Sequence, residues 1–571
     1  MREVSPDAGL DFHLDRHSPP TPTTVPHHSP YYSPNGVRQL PPHANEPIRS
    51  YAPGSPERAS LQARLKAMEA ECPEIPVVVG GKEIRTGEVA KSVSPHKHGH
   101  VTATYHKATA ADVHAAIKAS RAAWTEWSEW SWEERAAVFL KAADLLAGPW
   151  RDTINASTML GQSKTVFQSE IDAACEMVDF WRFNVAFAQD LYREQPISGP
   201  GMWNQLEYRA LEGFVYAVSP FNFTAIGGNL AGAPALMGNT ILWKPATTAI
   251  LSGWNTLRVL QEAGMPPGVI NFLPGDAAMI SEIALTDPAL AGVHFTGSTG
   301  VFNSMWGTIG KNMGNYRSYP RIVGETGGKD FMLAHPSADV QAFAVGVVRG
   351  AFEYQGQKCS ACSRIYVPKS IWPEVRDRIA AMIKDIRMGD VNDFKNFMGA
   401  VIDKKAFDRI SGYLTDAKKN ASVIAGGGTD GSVGYFVEPT LIETKDPAYK
   451  LMCEEIFGPV VTAYVYDDDK WSETLDIVDR TSPYALTGAV FAQDRNAVRE
   501  AHARLRHAAG NFYVNDKCTG AVVGQQPFGG ARGSGTNDKA GSKFNLLRWV
   551  SARTIKEPFV PAQDYRYPFM G

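Results

Sequence analysis

Short apolar runs, each too brief for a buried helix, alternate along this chain with longer stretches of helical periodicity. The runs fall at 214–218, 240–243, 269–272, 292–295 and 331–334, and a further series at 364–367, 460–466 and 489–491. Strands separated by helices point to an α/β protein with mainly parallel sheets, and the second series to a second α/β domain. Among the helices, Val113, Ala116, Ile117 and Trp124 mark one buried face. Another helix opens on Ser131 and Glu134 at capping-box spacing and turns Val138, Phe139, Ala142 and Leu146 inward. No internal repeat is present.

The 571 residues give a prior of about three to four domains. Apolar residues at 44% and charged residues at 20% exclude wholesale disorder. A net charge of −3 provides no basic field for gripping nucleic acid. The longest uncharged run, 213–243, is long enough to raise the question of a membrane span. Its Pro220, Asn222, Asn229, Pro234 and Asn239 would leave polar groups unsatisfied in lipid, so it reads as buried core. Six scattered cysteines are too sparse for a disulfide scaffold and fit a reducing compartment. Residues 1–56 are rich in Pro, Ser and His with little apolar periodicity, and are expected to be a disordered tail. Five acids there (Glu3, Asp7, Asp11, Asp15, Glu46) outnumber the four arginines, which is unlike a mitochondrial transit peptide.

Gly426, Gly428 and Gly431 match a dinucleotide fingerprint, yet an extended stretch follows at 432–440, so a glycine-rich hairpin is the better reading. A stronger dinucleotide candidate runs from the strand at 292–295 through Gly297 and Ser298 into a helix starting near Gly300. Small residues there let phosphate approach backbone N–H groups at the positive helix end. Lys244 ends another strand, where ligands of open α/β sheets collect. Cys359 and Cys362 form a C-x-x-C. Lacking a second cysteine pair they make a poor metal site, which leaves a thiol–disulfide pair or a single nucleophile, Cys359. Lys358 and a nearby helix start would favour its thiolate. His96, His98 and His100 read as a polar turn, and Trp124, Trp127, Trp130 and Trp132 as packing. Glu325 lies among glycines 34 residues before Cys359, Asn222 lies in the buried run, and Glu455 lies downstream.

With these motifs in order, the chain resembles the aldehyde dehydrogenase superfamily from residue 60 to 571. The matching stretches are PFN at 220–222, WKP at 243–245, FTGS at 295–298, GETGGK at 324–329, GQKC at 356–359 and EEIFGP at 454–459. Long blocks at 219–240, 351–364, 433–440 and 510–541 are similar to its Δ1-pyrroline-5-carboxylate (L-glutamate γ-semialdehyde) dehydrogenase branch.

The resemblance implies an aldehyde dehydrogenase fold. A Rossmann-like NAD domain would span 57–192 and 215–326, a catalytic domain 327–545, and a β-strand bridging element 193–214 plus 546–571 that pairs with a neighbouring subunit, making at least a homodimer. It implies NAD-dependent oxidation of L-glutamate γ-semialdehyde to L-glutamate in proline degradation. Cys359 would be the nucleophile, Glu325 the general base for thioester hydrolysis, and Asn222 with the Cys359 N–H the oxyanion donors. Ser219 and Lys244 would lie near the adenosine half of NAD, Gly297, Ser298, Thr299, Gly300 and Val301 at the pyrophosphate, and Glu455 on the nicotinamide ribose. Thr247 stands where an acid would repel a 2′-phosphate, so NAD over NADP rests on the family's habit. The substrate would meet Ser360, Gly520, Ala521, Phe528 and Glu176. Ala521 replaces the branch's serine, which leaves another carboxylated aldehyde as the alternative substrate. A C-x-x-C thiol–disulfide protein and a catalytically dead scaffold are the alternatives of other classes. The branch implies the mitochondrial matrix, while the tail reads as cytosolic.

Overall fold

Every residue of Thr240–Lys244 and Leu290–Thr296 is buried, as a parallel sheet covered by helices on both faces requires. A computed structural model describes Gly36 and residues 38–571 of the protein, and residues 40–571 form one compact unit. The first sheet contains β1 (Val77–Val79), β2 (Lys82–Ile84), β3 (Phe214–Val218), β4 (Thr240–Lys244), β5 (Ile270–Phe272), β6 (Leu290–Thr296) and β7 (Arg321–Glu325). Their order is β7-β6-β3-β4-β5-β1-β2, parallel from β7 to β5 and closed by antiparallel β1 and β2. From β3 the chain builds outward to β5 and then returns to the other side of β3 for β6 and β7. That reversal opens a crevice at the strands' carboxyl ends, the usual ligand position in such sheets.

The second sheet contains β8 (Asp330–Ala334), β9 (Cys362–Pro368), β10 (Ser422–Ala425), β11 (Thr440–Thr444), β12 (Val460–Tyr466), β13 (Thr487–Phe491) and β14 (Asn511–Val514), in the order β10-β11-β12-β9-β8-β13-β14. Only β10 runs antiparallel. Four residues, 326–329, carry the chain from the end of β7 in one sheet to the start of β8 in the other. The carboxyl edge of the first sheet therefore faces the amino edge of the second. Met202–Ala210 and Val550–Pro558 pair antiparallel as a separate two-stranded ribbon.

Three helices matter below: α1 (Glu176–Arg193), α2 (Thr224–Leu236) and α3 (Thr299–Lys311). A π-helical turn, Glu170–Cys175, runs directly into α1, a geometry often found beside functional groups. Ser131 and Glu134 close their capping box as expected. Trp127 is buried and donates its indole N–H to the Ala235 carbonyl. The histidines depart from the solvated turn expected of them: His96 is buried with its ring bonded to Ser94 and Ser163, and His98 and His100 lie in the strand Lys97–His106. The glycines at 426–431 lead into a hairpin of Thr429–Asp430 with Phe436–Val437, with Gly426 and Gly427 at positive φ. No helix among the described residues is long and apolar enough to cross a membrane.

The expected tail needs correction. Most of its first 39 residues lie outside the described ones, but residues 40–55 are built into the body. Tyr51 is 3% exposed and donates its hydroxyl to the Glu170 carboxylate at 2.9 Å. Glu46 pairs with Arg182 at 2.7 Å and also with Arg151, whose side chain is buried. Polar contacts, together with Tyr51 and Leu40 packed on the apolar core, hold this strap, and composition does not register them.

Candidate active site

Along the carboxyl edge of the first sheet, Lys244 ends β4, Ser219 follows β3, Gly297 follows β6 and Glu325 ends β7, in spatial order. The Ser219 N–H donates to the Lys244 carbonyl at 3.2 Å, and the Gly297 N–H to the Glu325 carbonyl at 3.1 Å. Ser219 Oγ also accepts from the Trp243 indole at 3.0 Å. Ser298 caps α3 by accepting from the Val301 N–H at 3.4 Å. Thr299 Oγ1 accepts from the Gly327 N–H at 3.3 Å, tying the helix start to the crossover between sheets. Val301 points outward, half exposed.

A dinucleotide fits this edge. Lys244 is only 8% exposed, its ammonium makes no hydrogen bond among the described residues, and burial pushes it down to about 8, with Asp276 opposing. A Cβ at Gly300 would meet nothing within 4 Å, so the first turn of α3 is open to an anion. Glu455 Oε1 accepts from the Gly328 N–H at 2.9 Å, which brings this acid, from the loop before β12, onto the crossover. Burial raises its pKa.

Beyond the crossover sits the thiol. Cys359 Sγ lies 4.0 Å from Glu325 Oε1. Before it, the chain kinks through Tyr354 and Gln355 in left-handed conformation (φ +50° and +57°). Gly356 follows at φ +64°, where a Cβ would sit 2.3 Å from the Gly458 carbonyl oxygen. Asn222, in the turn before α2, is buried and donates to the Gln357 carbonyl at 3.0 Å, which places its amide beside the cysteine loop.

The expectation of a stabilised thiolate fails. Burial, with Glu325, Asp330 and Glu455 adding negative charge, pushes the Cys359 thiol well above its usual range, and only the Ser360 N–H opposes. No helix starts at Cys359. Lys358 points elsewhere, 3.4 Å from Asp172 and 3.5 Å from Glu353. Burial works against its charge, but those two carboxylates outweigh it and hold the ammonium protonated. The thiol–disulfide reading loses its geometry as well. Cys362 opens β9 with its side chain in the apolar core packed on the second sheet, its sulfur 3.9 Å from the Arg364 carbonyl.

Cys359 faces a cavity of about 690 Å³ whose walls include Glu176, Lys358, Ser360, Thr519, Gly520, Ala521 and Phe528. All five expected substrate residues thus border one space. Ser360 Oγ and Thr519 Oγ1 share a hydrogen bond of 2.7 Å, fixing the loop at its start, and Lys517 Nζ donates to the Thr519 carbonyl at 3.0 Å. Gly520 takes φ +97°, where a side chain would be strained. Glu176 Oε2 is buried without a hydrogen-bond partner, and burial together with Asp172 drives its pKa well up. Glu325 borders a smaller neighbouring chamber with Lys539, Phe528 and Glu176. Burial lifts Glu325 to about 8, with Lys539 opposing.

Residues beyond the expected set also line the large cavity. Phe180 and Phe223 supply apolar wall, and Lys358, Arg349 and Lys517 supply positive charge. Lys358 was visible in the sequence only as a neighbour of Cys359.

Comparison with known proteins bears on this arrangement. The aldehyde dehydrogenase family model matches residues 83–555. A Dictyostelium discoideum protein named Delta-1-pyrroline-5-carboxylate dehydrogenase, mitochondrial, is 55% identical over 536 residues, covering 93% of this chain and 96% of the relative. The Homo sapiens protein of the same name is 52% identical over 530 residues, covering 92% and 94%. The crystal structure of the Mycobacterium tuberculosis Delta-pyrroline-5-carboxylate dehydrogenase bound with NAD superposes with a TM-score of 0.91. It is 53% identical and covers 94% of this chain and 100% of that one. A Thermus 1-pyrroline-5-carboxylate dehydrogenase with bound NAD gives a TM-score of 0.87 at 31% identity, covering 91% and 100%. On family match, identity and fold alike, this chain belongs to the aldehyde dehydrogenase family.

Proposed function

We propose that this protein oxidises L-glutamate γ-semialdehyde, the open form of Δ1-pyrroline-5-carboxylate, to L-glutamate with NAD. The observation that carries this reading is Cys359 opening onto a cavity bordered by a positive, N–H-rich loop, with Glu325 4.0 Å from its sulfur. The names of relatives more than 50% identical over nearly the whole chain support the same reaction.

The Cys359 sulfur adds to the aldehyde carbon while its proton passes to the Glu325 carboxylate 4.0 Å away and on to solvent, and the thiohemiacetal forms as its oxyanion. Its oxygen takes hydrogen bonds from the Asn222 amide and the Cys359 N–H, donors fixed before the charge develops. NAD, when bound, supplies the acceptor for the hydride whose loss turns this adduct into a thioester. Lys244, Ser219, the first turn of α3 and Glu455 hold the dinucleotide. Glu325 takes a proton from the hydrolytic water, the carboxylate leaves, and the sulfur is freed for the next turnover.

At the far end of the chain of the substrate, the Gly520 and Ala521 N–H groups and the Ser360 hydroxyl bind the α-carboxylate, with Lys358 and Lys517 providing positive charge. Phe528 packs on the methylenes and Glu176 takes the amine. An incoming ammonium would give the partnerless Glu176 oxygen its missing partner.

The ribbon of Met202–Ala210 and Val550–Pro558 serves assembly. Two strands alone are marginally stable in water, and Trp203, Phe559 and Val560 stand exposed on or beside them, so a second copy completes the sheet as at least a homodimer. The mitochondrial names of the Dictyostelium and human relatives support a matrix location for this chain.

The test compares kcat/KM with NAD for glutamate semialdehyde and succinate semialdehyde, which lacks the amine and is one methylene shorter. A preference for the former of at least about tenfold is expected, since the second leaves a buried carboxyl group unpaired. Equal or reversed preference would reject the substrate.

A further inference from the structure

The loop that would bind the substrate carboxylate is held from two sides. Its inner side is the hydrogen bond between Thr519 and Ser360 at 2.7 Å. Its outer side rests on Asn45, more than four hundred residues away in sequence. Asn45 Nδ2 donates to the Val523 carbonyl and to Asp179 Oδ2, both at 2.8 Å, and Asn45 Oδ1 accepts from Gln525 Nε2 at 2.9 Å. Both amide hydrogens and the amide oxygen are therefore engaged.

The strap carrying Asn45 is itself anchored. The Glu46 N–H donates to Asp179 Oδ1 at 2.7 Å, and Arg151 Nη2 donates to the Pro47 carbonyl at 2.8 Å. Further along, the Arg49 N–H donates to Glu170 Oε1 at 2.8 Å and Tyr51 donates to its other oxygen. Arg151 and Glu170 are fully buried, so the strap ends on fixed points. Asn45 thus couples an immobile arm to residues 523–525, and Asn45, Gln525 and Ala521 border the same cavity as Cys359. Between the clamps lies Gly520, whose left-handed backbone is set by its surroundings and not by a side chain.

We infer that Asn45 is a positioning residue for substrate specificity, holding the Gly520–Ala521 N–H groups in place for a carboxylate while taking no part in the chemistry at Cys359. With Ala521 offering no hydroxyl, recognition of the anion depends on backbone placement, which makes an outer clamp consequential. The inference rests on the proposed function.

The experiment measures steady-state kinetics of native protein, Asn45→Ala, Gln525→Ala and the double variant on glutamate semialdehyde and on propanal, which has no carboxylate. Asn45→Ala should raise KM for the semialdehyde about tenfold with kcat within about twofold, the size expected for losing the hold of Asn45 on Val523 and Gln525. Propanal kinetics and KM for NAD should stay level. Gln525→Ala should give a smaller rise in the same direction, and the double variant should be no worse than Asn45→Ala, because both act on one contact. An unchanged semialdehyde KM, or equal weakening of both aldehydes, would overturn the inference. If Asn45→Ala does not fold, Gln525→Ala alone decides between the same outcomes. Native protein that prefers propanal would instead reject the proposed function, a result independent of either variant.

Discussion

Cys359 Sγ and Glu325 Oε1 stand 4.0 Å apart at the seam between two sheets, and the surroundings oppose ionisation of both. The sulfur is buried among carboxylates, and the glutamate is buried with only Lys539 to favour its charge. The resting pair is therefore a neutral thiol beside a carboxyl that loses its proton at about 8.

That value sets a pH dependence. A general base acts only when deprotonated, and a carboxyl raised to about 8 is mostly protonated below it. Turnover limited by thioester hydrolysis should rise about tenfold per pH unit towards about 8 and level off above. Glu325→Gln should remove this limb along with most of the activity. A native profile flat from about pH 6 upward would separate Glu325 from the hydrolytic step.

Cys362 gives a second prediction. Its side chain belongs to the apolar core packed on the second sheet and not to the cavity facing Cys359. Cys362→Ser should leave kcat/KM within about twofold and cost about 1–3 kcal/mol of stability by burying a hydroxyl. Urea denaturation and initial rates check both. Loss of all activity in well-folded Cys362→Ser would return the disulfide chemistry to consideration.

Lys358 is the hinge of a buried charge series. Lys164 bonds Asp172 at 2.9 Å, Lys358 lies between Asp172 and Glu353, and Lys517 approaches Glu353 at 3.8 Å. Lys358→Met would leave Asp172 with Lys164 alone and Glu353 with only the more distant Lys517, a loss of up to about 3–5 kcal/mol. It should also raise KM for the semialdehyde more than for propanal. Unchanged stability would mean that water already solvates Asp172 and Glu353.

Eight of the fourteen strands in the two main sheets were legible as apolar runs, as at Thr240–Lys244, whereas Lys82–Ile84 and Arg321–Glu325 were not, because charged residues interrupt them. The family motifs likewise marked Cys359, Glu325 and Asn222, which the fold brings to one seam. Direction was not legible. Lys358 adjoins Cys359 in sequence, yet the left-handed kink at Tyr354 and Gln355 precedes it, and its side chain runs to Asp172 and Glu353. The strap at 40–55 was hidden for another reason. Its partners Glu170, Asp179 and Val523 are more than a hundred residues distant, and polar contacts at that range leave no periodicity to read.

The central claim, that the Cys359 sulfur carries the substrate, is tested most directly by NADH formation from Δ1-pyrroline-5-carboxylate at saturating NAD in native protein and in Cys359→Ala. NAD affinity of the variant, measured by calorimetry, reports that the fold survives. The account predicts unchanged NAD binding and a fall in turnover of about four orders of magnitude or more. Turnover by Cys359→Ala within about tenfold of native would contradict it.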